Sequence, residues 1–496
     1  MKHKILIAIM LLMSATSFAQ EDDDFFQSFQ EFRSQIYSDY QNFLGEINAD
    51  YAKFLREAWQ QVLGEAPTPP PQPEPVKPVP PVILPDSEPA PQPDNREVPV
   101  TVAPPQPQPT PMPQPPAPIQ EVTQPVPKLV NIVFYGLREQ LRFDISLAPI
   151  LTGTAEDNVA DAWQQLCDGR ANNLINDCLR LRGKRRLCDW AYAMFAKQVA
   201  QALYPDPRHT NERELMQMFI LCQSGYKVHI SKDSQGRLHT LVAADDILYG
   251  YPSWKIDDQV YYLLVKDSPI RSLFVMSQPF PGEQPMRMNI YEENLLGKQA
   301  SAPRQLSSYK YPTAQASVTS SKSLVEFYDT YPECFRNSDP LSRWWFYAQA
   351  PLSEPAQNSL YPRLRAAIQG KGSLEAVSIL LDFVQTAFEY RTDDEVWGSD
   401  RPFFAEETLF YPYSDCEDRS ILFSRLVRDL TGLDVVLVYC PGHLFAAVHF
   451  PSAVEGDYIT VAGRRYTVAD PTYIHAPVGL TMPDLQTDQA QAIPLR

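Results

Sequence analysis

The sequence predicts a multidomain α+β chain. Three observations carry this: an aromatic repeat near the N-terminus, a proline-rich run after it, and two later stretches in which helical periodicity precedes strand-like alternation. Residues 1–19 read as a secretory signal peptide, with Lys2 and Lys4, an apolar run from Ile5 to Met13, and Ser17-Phe18-Ala19 before the expected cut near Ala19. The expected location is therefore periplasmic or secreted. No other apolar run reaches the roughly 18 residues a spanning helix needs, so no transmembrane span is expected. With 60 acidic and 43 basic residues, the net charge of −17 argues against nonspecific nucleic-acid binding.

Residues 22–65 read as an amphipathic helix with an 11-residue repeat. FQEFRSQIYSD, YQNFLGEINAD and YAKFLREAWQQ follow without gaps, aligning Phe29, Tyr40 and Tyr51 as well as Phe32, Phe43 and Phe54. Eleven residues lie close to three helical turns, so the aromatics form a nearly straight stripe. A stripe of that kind must be buried. Self-association and docking on the chain's own folded part rank ahead of an external partner. Residues 66–128 hold 25 of the 48 prolines and read as an extended polyproline-type spacer of at most ~190 Å, which separates helix from folded part.

The remainder exceeds one typical domain and divides into an α+β domain at 129–300, a connecting segment at 301–339 and a second α+β domain at 340–496. In the first, a strand is expected from Leu129 to Tyr135, helices near 156–182, 186–203 and 211–224, and strands near 226–231, 237–243 and 257–266. In the second, Ile421, Leu422, Leu426, Val427 and Leu430 have helical spacing that stops at Gly432. Cys416 therefore falls in the first helical turn, where unpaired N–H groups favour a thiolate and offer an amide to an oxyanion.

Asp415, Glu417 and Asp418 crowd that thiol and oppose its ionisation, so an imidazole partner is required. His443 and His449 share strand parity, and alternation alone does not separate them. His443 follows the break at Pro441-Gly442, which leaves its ring at an open edge. Asp470 ends the strand Tyr466–Ala469 before Pro471 and can hold an imidazole in one tautomer. Cys416, His443 and Asp470 thus have the succession a thiol acyl-transfer site needs. A metal site from Cys416, Glu417, His443 and His449 lacks paired-ligand spacing, and no cofactor is expected.

The stretches SLEAVSILLDFVQTAFEY, DCEDRSILFSRLVRDLTGLDVVLV, GHLFAAVHF and VADPTY resemble the transglutaminase-like cysteine hydrolase superfamily, part of the wider papain-like group, from roughly Pro340 to Asp484. The resemblance implies a helix bearing the cysteine packed on an antiparallel sheet bearing histidine and aspartate. It also implies Cys416 as nucleophile, His443 ahead of His449 as general base, and Asp470 as its orienting partner. The aromatic that often follows the family histidine stands here as Phe445. Gln385 resembles a position where relatives place an oxyanion-site amide, although a solvated helix glutamine reads equally well.

Arg391 to Ser414 reads as an approach loop whose Asp393, Asp394, Glu395, Trp397, Phe403 and Phe404 can shape a cleft. Seven cysteines leave at least one thiol unpaired in an export compartment, and Cys416 is the choice for it. Cys167, Cys178 and Cys188 lie close enough in sequence for a disulfide, with reduced buried thiols as the alternative. Cys440 reads as a structural thiol that oxidation could pair with Cys416.

The first α+β domain echoes the second. DWAYAMFAKQVAQALY parallels EAVSILLDFVQTAFEY, and NERELMQMFILCQSGYKVHI parallels EDRSILFSRLVRDLTGLDVVLV. Aligning Gly225 with Gly432 puts His209 where Cys416 stands, so residues 129–300 read as a degenerate, noncatalytic transglutaminase-like relative. An unrelated α+β domain is the alternative. Two function classes follow. One is an exported cysteine peptidase, glutamine deamidase or transglutaminase acting on protein or peptide amides through a thioester. The other is a retired binding or scaffold protein of the cell envelope.

Overall fold

The computed structural model describes residues 45–69, 77, 80–83, 94–104, 121–123, 128–276, 278, 280 and 284–495. The expected signal peptide, the first two copies of the 11-residue repeat as far as residue 44, and much of the proline-rich run lie outside these residues. The chain mixes helix and sheet as an α+β fold, and all seven cysteines are free thiols.

The first lobe begins with a hairpin, Leu129–Phe134 and Leu137–Arg142, turned by Tyr135 and Gly136 at φ of 41° and 72°. Positive φ at both central residues matches the twist of the flanking strands. Helices α1 (Glu156–Cys167), α2 (Asn172–Lys184), α3 (Asp189–Leu203) and α4 (Thr210–Gln223) follow. The helix expected at 156–182 is two helices, because the chain turns at Gly169 with φ 99°, a conformation that favours glycine. The lobe's sheet contains β1 (Gln60–Leu63), β3 (Val228–Lys232), β4 (Leu238–Ala243), β5 (Ser253–Ile256), β6 (Gln259–Leu263) and β7 (Ser272–Val275), in the order β1-β7-β3-β4-β6-β5.

The second lobe contains α5 (Ser373–Thr386) and α6 (Cys416–Thr431). Its sheet runs β2-β12-β8-β9-β11-β10, from β2 (Thr101–Val102), β8 (Val435–Cys440), β9 (His443–Val448), β10 (Tyr458–Val461), β11 (Arg464–Ala469) and β12 (Gln491–Pro494). The strand order is that of the first lobe, although the N-terminal edge strand is antiparallel to its neighbour in the first lobe (β1 to β7) and parallel in the second (β2 to β12). The registers of the other five strands agree. Leu241 faces Leu263 as Ala446 faces Ala469, and the hairpins close at Lys232–Leu238 and Cys440–His443.

Both sheets curl closed. In the second lobe Glu97 bridges Tyr458 of β10, while Thr101 pairs with Gln491 of β12 at the opposite margin. Four residues span at most ~14 Å, so the two margins must lie close together. Val98, Val436, Val438, Phe445, Ile459, Val468 and Ala492 fill the enclosed core. In the first lobe β1 pairs with β7 and Glu65 bridges Ser253 of β5 around a core with Trp254, Tyr261 and Leu273. Gly64 is required there, because a Cβ would lie 2.5 Å from the Trp254 ring.

These closures correct two expectations. The amphipathic helix expected to reach residue 65 is helical at 45–55 and becomes strand at Gln60, since the β7 margin offers unpaired backbone groups to QQVL. Its third repeat packs on the first lobe: Tyr51 lies 5.0 Å from the Trp163 ring and 5.3 Å from that of Phe280, and Arg56 pairs with Asp157 and Asp161. The spacer expected at 66–128 docks wherever it is described. Thr68 bridges Tyr249, Val82 bridges Ile474, and Asn173 binds the backbone of Val122.

Candidate functional site

Each of the three sequence-chosen residues sits at the end of an element. Cys416 opens α6, whose carboxyl end is stopped by Gly432 at φ 70°. Ile421, Leu422, Leu426 and Val427 are buried on α6, which packs on α5, β8 and β9. Pro441-Gly442, with Gly442 at φ 80°, turns β8 into β9 and puts His443 first on the new strand. Asp470 follows the last residue of β11, with Pro471 ending the ladder.

The structure brings His443 and Asp470 together. His443 Nε2 lies 2.9 Å from Asp470 Oδ2 with both side chains buried. The other carboxylate oxygen, Oδ1, accepts from the amides of Thr472 at 2.9 Å and Tyr473 at 3.3 Å. A carboxylate oxygen accepts, so Nε2 is the nitrogen that donates in this pair. Nδ1 is buried and has no hydrogen-bond partner among the described residues. The His443 ring stacks on Phe445, two positions along the strand. His449 goes elsewhere: its Nδ1 donates to the Arg465 carbonyl at 2.8 Å.

Gln385 is buried under the same loop. Its Nε2 donates to the carbonyls of Asp470, Tyr473 and Ala476 at 3.0, 2.8 and 3.1 Å. That use of the amide fixes the backbone around Asp470 and leaves no N–H for a substrate oxyanion, in place of the role the resemblance implied. Arg419, also buried, braces the region by donating to the carbonyls of Gln385 and Phe388.

No hydrogen bond joins Cys416 to His443. Ser420, one turn along α6, donates instead to the carbonyl of Leu444, the neighbour of His443, at 2.8 Å. The Cys416 thiol donates to Glu417 Oε2 at 3.0 Å. Burial, reinforced by the Glu417 carboxylate, pushes the Cys416 thiol well above its ordinary range. The resting thiol is neutral. Cys440, whose thiol burial pushes up to about 12, is equally inert.

The group that sequence reasoning missed is Lys77, from the proline-rich run. Its Nζ lies 2.7 Å from Asp415, 3.5 Å from Asp400 and 3.6 Å from Asp393, and forms its closest contact with Glu417. Burial would neutralise this ammonium, but the charges of Glu417 and Asp415 outweigh it and raise the affinity for the proton. Glu417 responds in kind. Burial opposes its ionisation, yet Lys77 holds its carboxyl at about 2. Asp393 and Asp415 move oppositely, since one ammonium cannot offset every acid: burial and Glu417 raise Asp393 to about 7 and push Asp415 well up.

From the approach loop, Asp393 and Asp400 reach this cluster, and the amide of Arg401 donates to Asp393 at 2.7 Å. Phe404 is instead buried against Tyr328, Tyr331 and Tyr347, and Trp397 and Phe403 pack around Arg401. Asp393, Asp400 and Glu417 place ligand atoms within 4.8 Å of one another, as do Asp415, Cys416 and Glu417. Such oxygen-rich sets could hold a cation, and here the Lys77 ammonium lies among them.

Sequence carried a weak signal for Lys77, the only basic residue between Arg56 and Arg96, set in PVKPVPPVIL. In the first lobe the corresponding positions carry no such chemistry. Thr210 heads α4, with His209 one residue before it, and Leu238 and Leu264 stand where register places His443 and Asp470. The chain matches no family model, and no curated protein matches it in sequence.

Proposed function

We propose that the second lobe is a cysteine-dependent acyl-transfer site of the transglutaminase-like kind, acting on peptide or glutamine amides in an exported protein, and that the first lobe is its noncatalytic duplicate. The observation that carries the reading is the buried His443–Asp470 pair. Asp470 occupies Nε2, so the remaining nitrogen, Nδ1, is the one able to take a proton, and the strand bearing it packs against the helix that begins at Cys416. Catalysis requires the thiol to turn from Glu417 to Nδ1. The thiolate then attacks the amide carbonyl, and the imidazolium returns the proton to the departing nitrogen. Water or an amine then attacks the thioester, Nδ1 taking its proton and returning it to the departing Cys416 sulfur as the C–S bond breaks.

A second reading, a retired scaffold, is favoured by one observation: the thiol is buried and bonded to a carboxylate. Alkylation separates the two. An active site predicts that iodoacetamide modifies Cys416 through the state in which the thiol has turned to His443, so that His443→Ala slows it. Alkylation indifferent to His443 would leave the scaffold.

A further inference from the structure

We infer that the pocket formed by Asp393, Asp400, Asp415 and Glu417 beside Cys416 is a subsite for an alkylammonium group of the substrate, and that Lys77 occupies it in the resting chain as an intramolecular stand-in. The inference rests on the acyl-transfer reading for its purpose but on separate atoms for its evidence.

The first observation is the seated ammonium. Lys77 comes from a segment 338 residues away in sequence from Asp415, and its own side chain is only 10 % exposed. An ammonium is a compact cation with three donors, and four carboxylates converge on it. Asp393, Asp415 and Glu417 are buried, and the last two oppose the ionisation of Cys416. Their expense is understandable if they recognise a cation.

The second observation is an unused acceptor. Asp415 Oδ2 receives Lys77, while Asp415 Oδ1, on a side chain with no exposed area, has no hydrogen-bond partner among the described residues. A guest can therefore make one hydrogen bond at that oxygen that Lys77 does not.

The third is the neighbourhood of the seat. Glu417 touches the Lys77 ammonium with Oε1 and the Cys416 thiol with Oε2 at 3.0 Å, so one carboxylate joins subsite and nucleophile. A ligand that draws Glu417 away would release the thiol toward His443. Because the charges of Glu417 and Asp415 hold the Lys77 ammonium protonated, a guest in its place is read as a cation and does not act as the attacking amine. The substrate class that follows is a peptide whose side chain ends in a primary ammonium, one to a few residues from the scissile amide.

Binding can be read without thiol chemistry. In the mature full-length chain carrying Cys416→Ala and Lys77→Met, calorimetry should show Nα-acetyl-lysine methylamide binding with a Kd below about 1 mM. The norleucine analogue should bind at least roughly tenfold more weakly, as should the lysine compound when Lys77 is present. n-Butylamine separates a bare amine from a peptide: binding of the peptide compound alone, or of both, supports the subsite. Equal or absent binding of the lysine and norleucine compounds overturns it, as does preferential binding of calcium ion.

Should Lys77→Met fail to fold, the wild-type chain supplies the test. The lysine compound in excess should speed hydrogen exchange at the Ile83 amide, six residues after Lys77 and bonded to the Ile474 carbonyl, and an unchanged rate overturns the inference. Amine binding together with His443-independent alkylation would sink the acyl-transfer reading and leave the subsite standing.

Discussion

His443 and Asp470 show what a buried pair can fix. The carboxylate accepts two loop amides on one oxygen and the imidazole on the other, so the ring has a single orientation. Asp470→Asn would offer an amide donor where an acceptor is needed and favour the wrong tautomer. We expect it to slow iodoacetamide alkylation of Cys416 by about tenfold or more, while circular dichroism stays unchanged. Asp393 governs a pH effect. Its folded-state carboxyl, at about 7, lies above the ordinary 3.8, so the folded state binds the extra proton between those values and stability falls as pH rises through that window. Asp393→Asn should remove about 1–2 kcal/mol of that fall, read as a flatter melting temperature from pH 4 to 7. Glu417 acts in the other direction. Its carboxyl, depressed to about 2, stabilises the fold above an ordinary 4.5, and that contribution is lost as pH drops toward 2. Cys416, His443 and Asp470 were legible because each carries a local mark: a helix start, a turn before a strand, a proline after one. Lys77 was not, because a proline-rich run has no periodicity from which a contact hundreds of residues away can be read.

At the scale of elements, α5 does more than cover the sheet. Gln385 near its carboxyl end ties three carbonyls of the loop after β11, and Gln385→Ala would strand them in a buried setting. The expected cost is roughly 2–3 kcal/mol in chemical denaturation, with Cys416 alkylation slowed because Asp470 loses its support. Helices α3, α4 and α6 were readable in the sequence, since their apolar residues face one continuous core, whereas α5 entered through the family resemblance. The strand at Gln60–Leu63 was not. Its residues continue the 11-residue repeat, and only the waiting margin of β7 converts them to sheet, a tertiary preference that overrides local pattern. The doubled architecture was visible as a faint echo in sequence order. Its strand order and register could not be read, because pairing depends on contacts between strands rather than on any one of them.

The whole molecule is two similarly wound lobes sharing an apolar core to which residues 45–59 contribute Tyr51, Ala52, Leu55 and Trp59. Tyr51→Ala removes a ring wedged between Trp163 and Phe280 and should cost about 3 kcal/mol, measured by urea unfolding. The segments at 60–65 and 97–102 close both barrels, and barrels have no free margins. The consequence concerns self-recognition between molecules. A chain trimmed beyond residue 103 would present two open rows of amides and carbonyls, templates for strand addition by another copy. Light scattering should then report growing assemblies, so the same N-terminal stretch that completes each lobe also keeps one molecule from knitting onto the next.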